Sequence, residues 1–469
     1  NQMNKRLSSL LAVLAGVLLS INMFSQELWS LEKCITYAYE NNLTIRQSVL
    51  DVYSADEDLR QSKLNMLPTL NSNVSQGYNW GRNLDPQTNL YATQQSTQFR
   101  VGVNTDITLF SGLQQINSVK QKQFDYLAKK YDSDKIRNDV SLNIAAGYLM
   151  ILFNIELVNN AQRQVEISKE QIDRTEKLVQ AGTVARGNLY DIQAQGANEE
   201  ANLVTAKNNL MLAYLDLMQF LDIEAGSDFD IEKPNLEITA APDLLSPEMI
   251  YNTAVTIMPE IKSAENSVES AERSLAIAKG MHSPRLYASG NYGSTFSDQI
   301  SPVIGEDPVT GLPIFGTDVK SFDSQIVDNR FGGLVFGLQI PIFNGYQVST
   351  NVKKSKVYRE AVEINLQQQK LILRKNIEQA FADAIAAYQT YLARKKSVEA
   401  FIEAFKYTEE KLNVGMVNST DYNVAKIQLS SAESELASSK YDYIFKVKIL
   451  DFYLGRGISL DDIAVANPE

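Results

Sequence analysis

Residues 101–112, VGVNTDITLFSG, decide how the rest of the chain is read. Val101, Val103, Ile107 and Leu109 fall on one side of an extended chain, and Gly102, Asn104, Asp106 and Thr108 on the other. Period-two patterning over this length suits a tilted strand that crosses a hydrocarbon core. The design returns further on. Leu334, Phe336, Leu338, Ile340 and Ile342 alternate with Val335, Gly337, Gln339 and Pro341, and Phe343-Asn344-Gly345 follows. Phe110 and Phe343 lie 233 positions apart, as do Gly112 and Gly345.

Working outward, two weaker alternations at 69–80 and 285–296 pair with strands at 98–110 and 330–343. Residues 81–97, polar and carrying Asp85-Pro86, read as a loop. Residues 297–329 read as a longer one, with Pro302, Pro308, Gly311, Pro313 and Gly316. The remainder is helical. A helix over 31–66 breaks at Asn41-Asn42 and ends before Pro68; its counterpart over 247–281 breaks at Pro259 and ends before Pro284. Two proline-free helices, 112–181 and 345–414, are stopped by Gly182 and Gly415, as a glycine just past a helix end commonly does. At about 1.5 Å per residue each is on the order of 100 Å long. Return helices cover 188–221 and 420–453.

The halves repeat. Pro68 and Pro284 lie 216 positions apart, and Ala38/Ala254, Ile45/Ile261 and Leu70/Leu286 keep that offset. Beyond the strand loops the offset is 233, held by Ile107/Ile340, Ile144/Ile377, Gly182/Gly415 and Leu217/Leu450. The expected organisation is a first repeat over 26–240 and a second over 241–469. Before them lies a leader, 1–25: Lys5 and Arg6, an apolar run from Leu7 to Leu19, and a cleavage point after Ser25. Cys34 follows no lipobox, so no lipid anchor is expected, and no other stretch reads as a membrane-spanning helix.

Composition narrows the function. A formal charge of −12 argues against nucleic acid as a partner. One cysteine, Cys34, and one histidine, His282, remove disulfides, multi-cysteine metal sites and most nucleophile–base pairs. Cys34 reads as a buried small hydrophobe and His282 as a turn residue. Phosphate-loop and dinucleotide glycine patterns are absent. No enzyme, cofactor or metal is expected.

Four strands cannot close a barrel, and an open edge cannot face lipid with its N–H and C=O groups unpaired. Two copies supply eight strands, whose interior side chains fill; three supply twelve and leave a lumen. The inward face is small and polar (Gly102, Asn104, Thr108, Ser289, Asn291, Gly293), which favours the trimer. The long helices carry narrow apolar stripes and must pair as antiparallel coiled coils. The competing reading is a coiled-coil scaffold of the periplasm or surface without transport.

Several motifs together resemble the TolC-like outer-membrane efflux family over essentially the whole mature chain. They are Trp29-Ser30-Leu31-Glu32-Lys33-Cys34-Ile35, the Leu-Pro-Thr-Leu and Ser-Pro-Arg-Leu strand starts at Pro68 and Pro284, Leu-x-Ile-Pro-Ile-Phe-x-Gly at 338–345, and Gly-x-x-x-x-x-Asp at Gly415–Asp421. The resemblance implies mainly α structure with a membrane β contribution: a homotrimer with a twelve-stranded barrel continued by a periplasmic helical barrel. It implies docking on a periplasmic adaptor and an inner-membrane transporter, as the passive outer-membrane exit duct of an efflux or type I secretion system in a Gram-negative bacterium.

The resemblance also implies roles for residues. The turns 182–187 and 415–420 would be the periplasmic tips, with Gly182, Arg186, Gly187, Gly415, Asn418 and Ser419 at the adaptor. An aspartate ring would narrow the pore there. Asp421, six past Gly415, fits that pattern; Val424 replaces the second aspartate, while Asn188 and Asp191 stand at the matching places of the first half. Tyr78, Trp80, Tyr91, Tyr292 and Phe296 near the loop ends of the strands, with Phe110 and Phe343 at the other edge, would form aromatic girdles against outer-membrane lipid.

Overall fold

A computed structural model describes residues 28–85, 90–224, 229–234, 236–238 and 245–460. The leader and parts of the connector between halves lie outside these residues. The elements in order are α1 (Leu31–Asn41), α2 (Leu43–Leu64), β1 (Thr69–Leu84), β2 (Tyr91–Phe110), α3 (Gln114–Gln180) and α4 (Arg186–Leu221). Then come α5 (Pro247–Ile257), α6 (Pro259–Gly280), β3 (Arg285–Ser297), β4 (Val303–Glu306), β5 (Pro313–Phe315) and α7 (Phe322–Asp328). The chain ends with β6 (Phe331–Gln339), α8 (Gln347–Asn413) and α9 (Ser419–Tyr453). It divides into two compact units, each drawn from both halves of the sequence.

The first unit (1–51, 130–262 and 368–469) is helical. Ile144, Tyr148, Ile151 and Leu152 recur at helical spacing on α3 and are buried with Leu31, Cys34, Ala38, Leu217 and Ile444. Burying each large aliphatic side chain contributes about 1.5–3 kcal/mol. Tyr148 is buried too, and its hydroxyl donates to Trp29 O (3.2 Å) and Glu232 O (2.8 Å), which satisfies its one polar group. On α8 the buried positions Leu373, Ile377, Ala380, Ala384 and Ala387 alternate spacings of four and three, the seam of a coiled coil with alanines that permit close approach. Asn42 explains the break between α1 and α2: its Oδ1 accepts from Ile45 N (3.1 Å), while its Nδ2 donates to Phe220 O (2.8 Å). One stretch within α3 is, against the sequence reading, long and apolar enough to span a membrane; the core residues of α3 lie buried inside the unit, as a core helix does.

The second unit (52–129 and 263–367) is built on a four-stranded antiparallel sheet in the order β1-β2-β3-β6. The strands of the first hairpin run further than their patterning suggests. β1 reaches Leu84 and β2 starts at Tyr91, so the loop shrinks from 81–97 to 85–90. β6 instead stops at Gln339, ahead of Pro341, which has no N–H to give a ladder. The long second loop is folded as well, with the β4–β5 hairpin and helix α7. At both strand exits the chain makes the same two-residue left-handed turn, Gly112-Leu113 and Gly345-Tyr346, with φ near +60° at all four residues.

Candidate pore lining and hairpin tips

Register gives the sheet two unlike faces. The rungs Asn71–Asn104–Asn291–Gly333, Asn73–Gly102–Gly293 and Thr69–Asp106–Ser289 lie on one of them. Arg285 adds a guanidinium that donates to Thr108 Oγ1 (3.0 Å). This surface is mostly short amides, hydroxyls and glycines that offer hydrogen bonds without filling space, and the last two rungs run on to Phe331 and Val335 of β6. The opposite face carries Leu70, Val74, Val103, Ile107, Leu334, Phe336 and Leu338, with Leu334 80 % exposed. An exposed apolar face this continuous is matched to hydrocarbon or a partner rather than to water.

Six of the seven expected girdle aromatics lie in strands with their register on the apolar face, and Phe343 follows β6 in irregular chain. Tyr78 and Trp80 stack at 6.4 Å near the loop end, and Tyr91 lies under the Arg82 guanidinium. Phe110 pairs with Leu286, and Phe343 meets Tyr346 edge-on. Two differ from expectation. Tyr292 sits mid-strand, opposite Val103 and Gly332. Phe296 is half-buried, because Phe322 of α7 packs on it at 5.3 Å and on Phe99 at 5.4 Å.

The tips belong to the helical unit. Gly182 (φ +72°) and Gly415 (φ +75°) end α3 and α8 with matching motifs. Thr183 N donates to Leu178 O and Gly182 N to Val179 O; Met416 N donates to Lys411 O and Gly415 N to Leu412 O. The following helices begin earlier than expected, at Arg186 and Ser419, so Gly187 and Ser419 are already helical. Asn418 caps α9: its Oδ1 accepts from Asp421 N (2.9 Å). Asp421 and Asp191 are exposed and Asn188 half-buried; no hydrogen bond or ion pair joins the two aspartates within one copy among the described residues.

Sequence reasoning missed Lys426. It is 3 % exposed on α9, and its Nζ donates to Gln164 O (3.0 Å) and Ser168 Oγ (2.6 Å) of α3. Burial pulls its pKa below the ordinary lysine value, against the opposing pull of Glu199. The signal was available, since Lys426 stands four past the buried Tyr422 on one helical stripe. Cys34 is fully buried, and burial pushes its thiol up to about 12. His282 lies in the turn closing α6. Among the described residues no group of histidine, cysteine and carboxylates is placed to hold a metal.

The sequence model of the family described as Outer membrane efflux protein matches residues 35–221 and again 250–456. The outer membrane protein TolC of Escherichia coli is 23 % identical over 98 % of this chain and 89 % of its own length. Among solved structures, CusC, described in terms of transmembrane channel formation, superposes with a TM-score of 0.75 at 17 % identity over 91 % of this chain and 92 % of its own. The outer membrane protein VceC of Vibrio cholerae gives 0.73 at 15 % identity, over 91 % and 96 %. A family match that spans most of the chain, on a fold shared with transmembrane channels, places this chain in the outer membrane efflux protein family, as an efflux channel of the Gram-negative outer membrane.

Proposed function

We propose that the protein works as a homotrimeric, non-enzymatic exit duct for small molecules, driven by an inner-membrane transporter through a periplasmic adaptor. One observation carries this reading: a four-stranded sheet with a polar face, an apolar face and both outer edges, β1 and β6, open. Three such sheets supply the twelve strands of a hollow barrel, with the Asn71–Asn104–Asn291 rungs turned to the lumen and Leu334, Phe336 and Trp80 to lipid. The aromatics named above form the girdles. Helices α3, α4, α8 and α9 of the three copies line a periplasmic helical barrel, and the turns at Gly182 and Gly415 meet the adaptor. The two halves, 26–240 and 241–469, are tandem repeats of one strand-hairpin and helix-hairpin unit. Light scattering of the detergent-solubilised protein tests the reading: three copies are expected, and a monodisperse single copy that still conducts ions would overturn it.

At the tips, three copies of Asp421, joined by Asp191, form an acidic ring that attracts cations. Asp421→Ala should weaken multivalent-cation block in planar bilayers at least several-fold. An unchanged block removes the ring from the proposal and leaves Asp421 as a helix N-terminal acid.

A further inference from the structure

The two hairpins share one register. Adding 216 to each β1 residue and 233 to its β2 partner converts Thr69–Asp106 into Arg285–Gln339, Val74–Val101 into Gly290–Leu334, and Gly77–Gln98 into Gly293–Phe331. Every β3–β6 pair is reproduced in this way. The offsets read from the sequence are therefore also the offsets of backbone pairing.

The same operation acts on the β2–β3 seam, which joins the first hairpin to the second within one copy. Carried forward, β2 becomes β6; carried back by 216, β3 becomes β1 of a further copy. We propose that β6 of one copy pairs antiparallel with β1 of the next, with Phe331 opposite Gly81, Val335 opposite Gly77 and Gln339 opposite Asn73, the image of Gln98–Ser297, Gly102–Gly293 and Asp106–Ser289. The inference rests on the multi-copy barrel and adds which residues meet.

Three independent features of the edges fit this register. Faces agree: the even-numbered residues carry Leu334, Phe336 and Leu338 on one strand and Leu70, Val74, Tyr78 and Trp80 on the other, and a slip of one residue would set these rows on opposite faces. Sizes agree: Phe331 and Val335 face Gly81 and Gly77, and Trp80 faces Gly332. A slip of two in either direction sets Phe331 against an asparagine and leaves Val335 without its glycine. Main-chain groups agree. Asp298 N donates to Thr97 O, so Ser297, Thr295 and Gly293 turn their main-chain groups away from β2 and towards β6. Alternation along the ladders then turns the free N–H and C=O of the even residues on both β6 and β1 outward, to meet at the seam.

The register also fills space that one copy leaves open. An added Cβ at Gly112 would collide with Gly280 O and Ser283 Cβ, whereas Gly345, its counterpart, has nothing within 4 Å. The images of Gly280 and Ser283 are Leu64 and Leu67 of the next copy, both exposed in a lone chain. Phe110–Leu286 becomes Phe343 against Leu70, which are 77 % and 76 % exposed before assembly.

Paired cysteines test the register, and buried Cys34 adds no reactive thiol. Val335→Cys with Gly77→Cys lies on a rung without main-chain bonds, where Cα atoms approach to about 4.5 Å, within disulfide reach. Gly333→Cys with Asn79→Cys is a second such rung. Mild oxidation of the trimer should give covalent dimers and trimers on non-reducing gels for both pairs. Val335→Cys with Gly81→Cys or with Asn73→Cys, four residues out, should give at most a tenth as much. Linkage through an out-of-register pair, or through none of the four in a preparation that light scattering shows to be trimeric, overturns the register. A monomeric preparation overturns the trimer itself, so the two failures are distinguishable.

Discussion

The two hairpin tips stop alike and start differently. Gly182 and Gly415 close α3 and α8 with the same pair of backbone bonds, and both rely on a left-handed residue that only glycine adopts at little cost. The helices that follow have unequal beginnings. At α9, Asn418 caps and Asp421 places a negative charge in the first turn, where the helix dipole favours it. At α4, Ala185 offers no side-chain bond, the first turn holds no acid, and Arg186 puts a positive charge at the positive end. The repeat thus preserves the stop and lets the start diverge. By these two terms the first turn of α4 is the less stabilised of the pair.

Substitutions at the stops, the caps and the first-turn charges separate these contributions. Gly182→Val and Gly415→Val should each destabilise by about 1–2 kcal/mol through left-handed strain and by similar amounts, read from thermal unfolding in detergent. Losses differing by much more than that range would show that the stops are not equivalent. Asn418→Ala should cost about 1 kcal/mol and Ala185→Asn should gain a similar amount, seen as faster amide exchange in the first turn of α9 and slower exchange in that of α4. No slowing after Ala185→Asn would mean that capping is not what separates the tips. The smallest effect belongs to Arg186→Glu, expected to stabilise α4 by about 0.3–1 kcal/mol at low ionic strength and to lose that advantage in high salt. A salt-independent gain would point to a new contact rather than the dipole.

Much of the fold was legible because its punctuation is chemical. Gly182, Gly415, Pro68, Pro284, Pro259 and Asn42 each end or break a helix where their backbone preferences say they should. The outer halves of β1 and β2 were not legible. Gly81, Arg82, Ala92 and Thr93 do not alternate, so pairing there leaves no period-two trace. The second loop hid its hairpin behind prolines. Yet Asp307 accepts from Val309 N (2.8 Å) and Thr310 N (3.3 Å), the turn chemistry that Asp-Pro-Val-Thr-Gly advertises. At the sites, Asn418 stands just before a helix, where a capping asparagine belongs, whereas burial of Lys426 left no mark, because a lysine on an apolar stripe ordinarily snorkels out.

Helix α7 covers the stretch of β3 that no strand reaches. Pairing with β6 stops where that strand begins, at Phe331, while β3 continues to Ser297 with its outer groups unpaired by any strand. Gln325, wholly buried, takes their place: its Oε1 accepts from Ser297 N (3.0 Å) and its Nε2 donates to Ser297 O (2.9 Å), while Asn329 Nδ2 donates to Thr295 O (2.7 Å). Two carboxamides imitate a strand that is not there. Bare strand margins recruit whatever extended polypeptide drifts past. With this margin sealed by its own side chains, the four-stranded sheet keeps β1 and β6 as its open outer strands.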